Sequence, residues 1–156
     1  MARLPLTVFI DGDACPVKDE TYKVAQRYGL KTIVVANAFI AIPKSPLIER
    51  VVVEAGPDVA DDWIAEHVVA GDVAITNDIP LAERVLNVGG HVLAPTGKRF
   101  TENSIGGAIA QRALMEQLRS TGDQMGGPKP FDRQDRSRFL QMLDQIIQEE
   151  RRKPMA

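Results

Sequence analysis

Leu6-Thr7-Val8-Phe9-Ile10-Asp11-Gly12-Asp13 is the stretch whose reading decides the fold. A short apolar run rich in branched and aromatic residues, halted by Asp-Gly-Asp, predicts a buried strand followed by a turn. Pro16 then suits the opening of a helix, because the N–H it lacks would be unpaired there. That helix is expected to run to Tyr28, with Gly29 ending it. Lys31 to Ala36 and Arg50 to Val53 read as two further strands, and the Pro43/Pro46 stretch between them as loop.

The alternation continues. Gly56-Pro57-Asp58 marks a helix start, with Asp58 placed to cap free N–H groups and Trp63, Ile64, His67 and Val68 forming an apolar stripe until Gly71. Val73 to Thr76 is the next strand. Pro80 falls in the first turn of another helix that directs Leu81, Val85 and Leu86 inward, Gly89-Gly90 close it, and Val92-Leu93 form a last short strand. Strands alternating with helices predict an α/β fold with a parallel sheet covered on both faces. Beyond it, Ser104–Ser120 and Asp132–Arg152 read as two C-terminal helices joined by the Gly- and Pro-rich segment Thr121 to Pro130, in which Gly122 to Pro130 reads as a mobile linker. The organisation is one domain over 1–156, with a core at about 1–95 and a helical extension at about 104–152. In the last helix Phe139, Met142, Leu143, Ile146 and Ile147 recur at helical spacing, an apolar stripe that serves a core or a homodimer contact.

Composition narrows the class. At 156 residues, with 44% apolar and 26% charged residues, the chain has the profile of a globular domain able to bury a core. Its single cysteine, Cys15, cannot form an internal disulfide, and no run approaches the roughly 18 apolar residues a membrane span needs. The expected location is the cytoplasm, with no membrane role. Residues 1–95 carry 8 Lys and Arg against 13 Asp and Glu, whereas residues 96–156 carry 11 against 8. Acidic and basic halves suit an enzyme with a cationic rim and a metal-binding centre, although solvated faces give the same pattern.

Ligands of open parallel sheets bind outside the carboxyl ends of the strands. Asp11 and Asp13 follow the first strand and Asp78 follows Val73 to Thr76, so neighbouring strands would bring three carboxylates together, joined by Asp58, Asp61 or Asp62. Such crowding raises carboxylate pKa values or demands a cation. Hard oxygen donors suit Mg²⁺ or Mn²⁺, and either ion can activate water against a phosphodiester. Taken singly, Asp11, Asp58 and Asp78 are ordinary turn and cap residues; their joint placement points to a site. Spacing puts Asp58 and Asp62 on one helix face and Asp61 a quarter turn away, and does not choose between Asp61 and Asp62.

Four motifs in order carry a resemblance over nearly the whole chain: Asp11-Gly12-Asp13-Ala14-Cys15-Pro16, Gly56-Pro57-Asp58-Val59-Ala60-Asp61, Thr76-Asn77-Asp78-Ile79-Pro80-Leu81-Ala82 and Gly126-Gly127-Pro128. The chain resembles the YaiI/YqxD family of bacterial proteins, which is similar to the PIN-like nucleases. The resemblance implies a PIN-like domain with a mostly parallel sheet flanked by helices, and a Mg²⁺- or Mn²⁺-dependent nuclease or phosphodiesterase acting on RNA or another phosphodiester. It implies catalytic roles for Asp11, Asp61 and Asp78, with Asp13 and Asp58 as further metal-binding acids. Asp62 lies outside the pattern.

Two other classes compete. Asp11-Gly12-Asp13 also looks like the start of a haloacid-dehalogenase-type phosphatase, with Asp11 as nucleophile and Gly71-Asp72 or Asn77-Asp78 as its later acids. Gly71-Asp72 precedes its strand, however, and no lysine between the motifs has a position that marks it as the one to steady a phosphoryl group. The other class is a non-catalytic RNA- or protein-binding module. Aromatic residues are only 5% and no basic stretch interleaves them, which argues against a stacking platform, while Lys98-Arg99, Arg133, Arg136 and Arg138 form either phosphate contacts or a solvated face. Cys15 reads as packing rather than a reactive thiol, His67 as a packed side chain, and His91 as a strand start. Gly106-Gly107 marks a close backbone approach or a frayed helix start.

Overall fold

The structure is a computed structural model that describes residues 6–13, 15–120 and 130–153. In chain order the elements are β1 (Thr7–Asp11), α1 (Lys18–Arg27), β2 (Lys31–Ala36), β3 (Ile48–Val52), α2 (Val59–His67), β4 (Val73–Ile75), α3 (Ile79–Asn87), β5 (His91–Leu93), β6 (Arg99–Phe100), α4 (Glu102–Ser120) and α5 (Arg133–Arg152). They form one six-stranded sheet in the order β3-β2-β1-β4-β5-β6. All pairs are parallel except β5–β6, which is an antiparallel hairpin.

The expected α/β architecture is present, with a mostly parallel sheet, helices on both faces and two C-terminal helices, consistent with a PIN-like fold. The chain leaves β1 toward β2 and β3, then returns to place β4 and β5 on the other side of β1. Crossovers of one hand put helices on opposite faces when the direction of travel reverses. Accordingly α1 covers one face and α3 the other. Both faces being covered explains the continuous apolar character of β1: Val8 and Ile10 join α1 and α5 in one core, and Phe9 joins α2 and α3 in the other.

Local chemistry sets the boundaries. Gly12 is required by a close approach, because a methyl group there would lie 2.8 Å from Val34 Cγ1 and 3.1 Å from the Val35 carbonyl oxygen. Its N–H donates to that same carbonyl at 2.7 Å, extending the pairing one residue past β1. Gly97 turns the β5–β6 hairpin at φ +92° directly against α5, where a methyl group would lie 2.7 Å from the Arg138 carbonyl carbon. Asp132 caps α5, accepting from the Asp135 N–H at 2.8 Å while the Asp135 carboxylate accepts from the Asp132 N–H at 3.1 Å.

Several expectations require correction. The first helix begins at Lys18, two residues after Pro16. The third strand lies at Ile48–Val52 rather than Arg50 to Val53, because pairing with β2 starts at Thr32–Ile48 as soon as the chain leaves Pro46. Strand β6 was not anticipated; two residues leave no periodicity to read. Helix α2 ends at His67, short of Gly71. Asp58 precedes α2 in a left-handed conformation, φ +65°, and its side chain makes no capping bond. His67 is exposed, stacked on Trp63 with ring centroids 3.7 Å apart. Helix α4 is regular from Glu102, and nothing lies within 4 Å of a side chain added at Gly106 or Gly107, so neither a close approach nor fraying accounts for that pair.

The apolar stripe of α5 is spent internally. Phe139, Leu143, Ile146 and Ile147 are wholly buried against β1, β4 and β5, which removes the argument for a homodimer through that face. The segment 121–129, including the expected linker and Gly126-Gly127-Pro128, lies outside the described residues, as does Ala14. No helix among the described residues is long and apolar enough to cross a membrane.

Candidate active site

The strand order reverses between β1 and β4, and a reversal opens a crevice at the carboxyl ends of the two strands. In register, Ile10 faces Ile75, so the next residues, Asp11 and Thr76, meet at the edge. The buried Thr76 hydroxyl donates to Asp11 Oδ2 at 3.0 Å and accepts from the Asp78 N–H at 3.0 Å. Asp78 begins α3 as its cap, with Oδ1 accepting from the Leu81 N–H at 2.8 Å. One threonine thus holds the carboxylate of Asp11 and the backbone of Asp78.

Asp61 reaches the same place from the first turn of α2. Its carboxyl is pushed up to about 7 by burial first and then by the nearby Asp78, Asp11 and Asp58. Asp11 is also held above the ordinary carboxylate range: burial raises it, the Thr76 hydroxyl pulls it down, and Asp13 and Asp78 push it up again. Asp13 stands exposed at the rim, its Oδ2 accepting from the Asn37 N–H at 3.2 Å. Asp62 faces elsewhere and pairs with Arg84 at 2.6 Å, so Asp61 alone of the two joins the cluster.

Asp11, Asp13 and Asp78 line a cleft of about 170 Å³ together with Cys15, Ile75, Thr76, Asn77 and Pro95. Burial pushes the Cys15 thiol up, the opposite of what a reactive thiolate needs. Lys18 was missed in the sequence. Its ammonium donates to the Cys15 carbonyl at 2.9 Å and the Gly12 carbonyl at 3.4 Å, pinning the loop that follows β1. A lysine at a helix start gives no signal that it will fold back on the preceding loop.

The other singled-out residues lie apart from this cleft. Asp72 sits at the amino ends of the strands, accepting from the Thr7 N–H at 2.9 Å and the Val69 N–H at 3.0 Å, so it cannot serve as a later acid to Asp11. Arg99 is bound to Glu149 at 2.7 Å, and Arg138 pairs with Asp135 on its own helix. Arg136 extends from α5 toward Glu20 of α1 at 3.4 Å, near the carboxyl edge.

For a divalent cation the donor chemistry fits: Asp11, Asp13, Asp61 and Asp78 offer only hard oxygens. As they stand, no three His, Cys, Asp or Glu side chains among the described residues are arranged to enclose an ion. Asp13 is turned to Asn37, so its part in ion binding would require that side chain to reorient.

These features define an α/β protein of PIN-like architecture with an acidic cleft at the switch point of its sheet. The chain belongs to the YaiI/YqxD family, whose sequence model, described as "Uncharacterized BCR, YaiI/YqxD family", matches residues 9–149. It is similar to the "UPF0178 protein" of Caulobacter vibrioides strain NA1000, 60% identical over 141 residues that cover 90% of this chain and 92% of the relative. The "UPF0178 protein" of Caulobacter sp. strain K31 is 59% identical over 93% of this chain and 96% of its own. That of Azorhizobium caulinodans is 57% identical over 92% and 90%. No solved structure matches the chain.

Proposed function

We propose that the cleft binds Mg²⁺ or Mn²⁺ through Asp11, Asp61 and Asp78, with Asp13 and Asp58 as outer acids, and hydrolyses a phosphodiester of RNA. The observation that carries this reading is the approach of three carboxylates from β1, α2 and the β4–α3 junction. They come close enough that Asp78 and Asp11 both push the Asp61 carboxyl upward. The fold has no structural need for such repulsion, since Asp11 and Asp61 each lose hydration without gaining a cationic partner among the described residues. A bound divalent cation would relieve it, make a bound water acidic enough to attack, and stabilise charge on the departing oxygen. Thr76 would hold Asp11 in place and Lys18 would hold the loop carrying Asp13. The phosphatase alternative loses Asp72, which lies at the far edge of the sheet, and would have to rest on Asp78 as its later acid.

The test is thermal unfolding with and without Mn²⁺. The protein should gain about 2–3 kcal/mol at a hundredfold excess over Kd, a rise on the order of 5–10 °C in Tm. Asp11→Asn combined with Asp78→Asn should abolish that gain while keeping the fold, since asparagine retains an oxygen for the Leu81 N–H. An equal Mn²⁺ shift in the double variant would remove the metal site. Cleavage is then assayed on single-stranded and structured RNAs; metal binding without cleavage would leave a binding module.

A further inference from the structure

Phe39 is the most exposed large apolar side chain among the described residues, at 73%. It lies in the loop after β2, and its surroundings are ordered by three separate contacts. Two residues earlier, the Asn37 N–H donates to Asp13 at 3.2 Å, which ties the loop to the rim of the acidic cleft. One residue later, the Ile40 carbonyl accepts from Arg50 Nη1 of β3 at 3.1 Å. The same guanidinium stacks on Phe39, with Cζ 3.8 Å from the ring centroid. One face of the ring is therefore backed by a planar cation and the other is open to solvent.

An aromatic ring kept in water contributes nothing to the core, and a guanidinium fixed beneath it limits its rotation before any ligand arrives. Two chain steps of about 3.8 Å each place its Cα within roughly 8 Å of that of Asn37, and so near the cleft. Sequence patterns do not reveal this pairing, because Phe39 and Arg50 come from different elements.

We propose that Phe39 and Arg50 form a stacking platform for an unpaired nucleobase, with the guanidinium edge available to the adjoining phosphate. Single-stranded or looped nucleic acid would then be led along the loop at 37–40 toward Asp13 and Asp11. The direction of travel rests on the phosphodiesterase reading of the cleft; base stacking itself does not. A base accepts an aromatic face whatever its identity, so the platform selects unpaired strands over duplex rather than a sequence.

The experiment measures fluorescence anisotropy of labelled single-stranded RNA, single-stranded DNA and duplex RNA at low salt, with EDTA and with Mn²⁺. Phe39→Ala should weaken single-strand binding on the order of 10-fold and leave duplex binding unchanged. Because the side chain is exposed, thermal unfolding should be unaltered. Phe39→Trp should retain affinity, and its added indole fluorescence should be quenched by the single strand. Weakening with RNA alone or with both RNA and DNA supports the platform and identifies the sugar that fits. Equal affinity of the wild type and Phe39→Ala, absence of quenching in Phe39→Trp, or no single-strand binding by the wild type would overturn it. Asp11→Asn separates the two readings: it should lose cleavage and keep the Phe39-dependent binding. Phe39-dependent binding with no cleavage by the wild type would sustain the platform and remove the nuclease.

Discussion

The carboxyl edge of the sheet holds half-buried acids and the amino edge buried ones, and the two edges treat them in opposite ways. At the amino edge Glu150, 3% exposed, receives His91 Nε2 at 2.7 Å and Lys153 Nζ at 3.0 Å. Burial alone would raise its pKa, yet these partners bring it below the ordinary range, and Glu149 is lowered chiefly by Arg99. Asp72 there is raised by burial but receives two backbone N–H groups. At the carboxyl edge Asp11 has one hydroxyl, and among the described residues no cationic side chain is paired with Asp11 or Asp61. Acids that hold a fold together are compensated in place; acids left in tension are explained more economically by chemistry that arrives from outside.

The contrast breaks most visibly under substitution. Glu150→Ala should cost about 3 kcal/mol, because it leaves His91 and Lys153 beside a cavity at a buried position where α5 closes on β5. Asp11→Asn, measured by the same urea unfolding in EDTA, should cost nothing or raise stability, since it removes a repelling charge. Equal losses at the two edges would erase the distinction between structural and functional acids.

A smaller and opposite signature lies in pH. The Asp61 carboxyl sits at about 7 in the folded, metal-free protein against an ordinary value of 3.8. Between those values the folded state binds the proton that the unfolded chain has released, so its contribution is fully present below the unfolded value and is lost as pH rises toward 7. Glu149 and Glu150 act the other way, because lowered pKa values withdraw stability only as pH falls into acid. In EDTA the protein should therefore be less stable, and melt lower, at pH 8 than at pH 5.5, by on the order of 1 kcal/mol once solvent screening is discounted. Asp61→Asn should flatten that slope, and a Tm that does not fall across this window in the wild type would contradict the crowding. Mn²⁺ should reverse the trend, since ligand carboxylates must be deprotonated to bind it.

The alternation of strand and helix was legible because β1, β2 and β4 are short apolar runs punctuated by Gly, Pro and Asp, and burial on both faces leaves such runs unbroken. The placement of Asp11 and Asp78 after their strands followed from the same reading; that the strands are neighbours did not, because pairing between β1 and β4 spans the intervening 60-odd residues and depends on crossover direction. Helix spacing left Asp61 and Asp62 equal and only the family resemblance favoured Asp61; in the structure Arg84 of α3 draws Asp62 outward. Lys18 folds back on its own loop, and Arg50 meets Phe39 across two elements, so neither role has a local pattern. The amino-edge network joins β5, β6 and α5, and there single residues such as His91 showed nothing.

Asp58 offers the finest division between the two kinds of acid. It adds to the charge acting on Asp61, yet it is exposed, makes no capping bond and occupies a left-handed turn that favours Asn, Asp or Gly for backbone reasons alone. Asparagine tolerates the same turn, so Asp58→Asn should change stability by less than about 0.5 kcal/mol. Charge is then the only property removed. If Asp58 belongs to the cleft, the variant should lose less metal-free stability as pH rises and complete that loss at a lower pH, because Asp61 loses one repelling neighbour. Mn²⁺ affinity should weaken at the same time. A pH profile and a Mn²⁺ titration both superimposable on the wild type would assign Asp58 to the turn and confine the working carboxylates to Asp11, Asp13, Asp61 and Asp78.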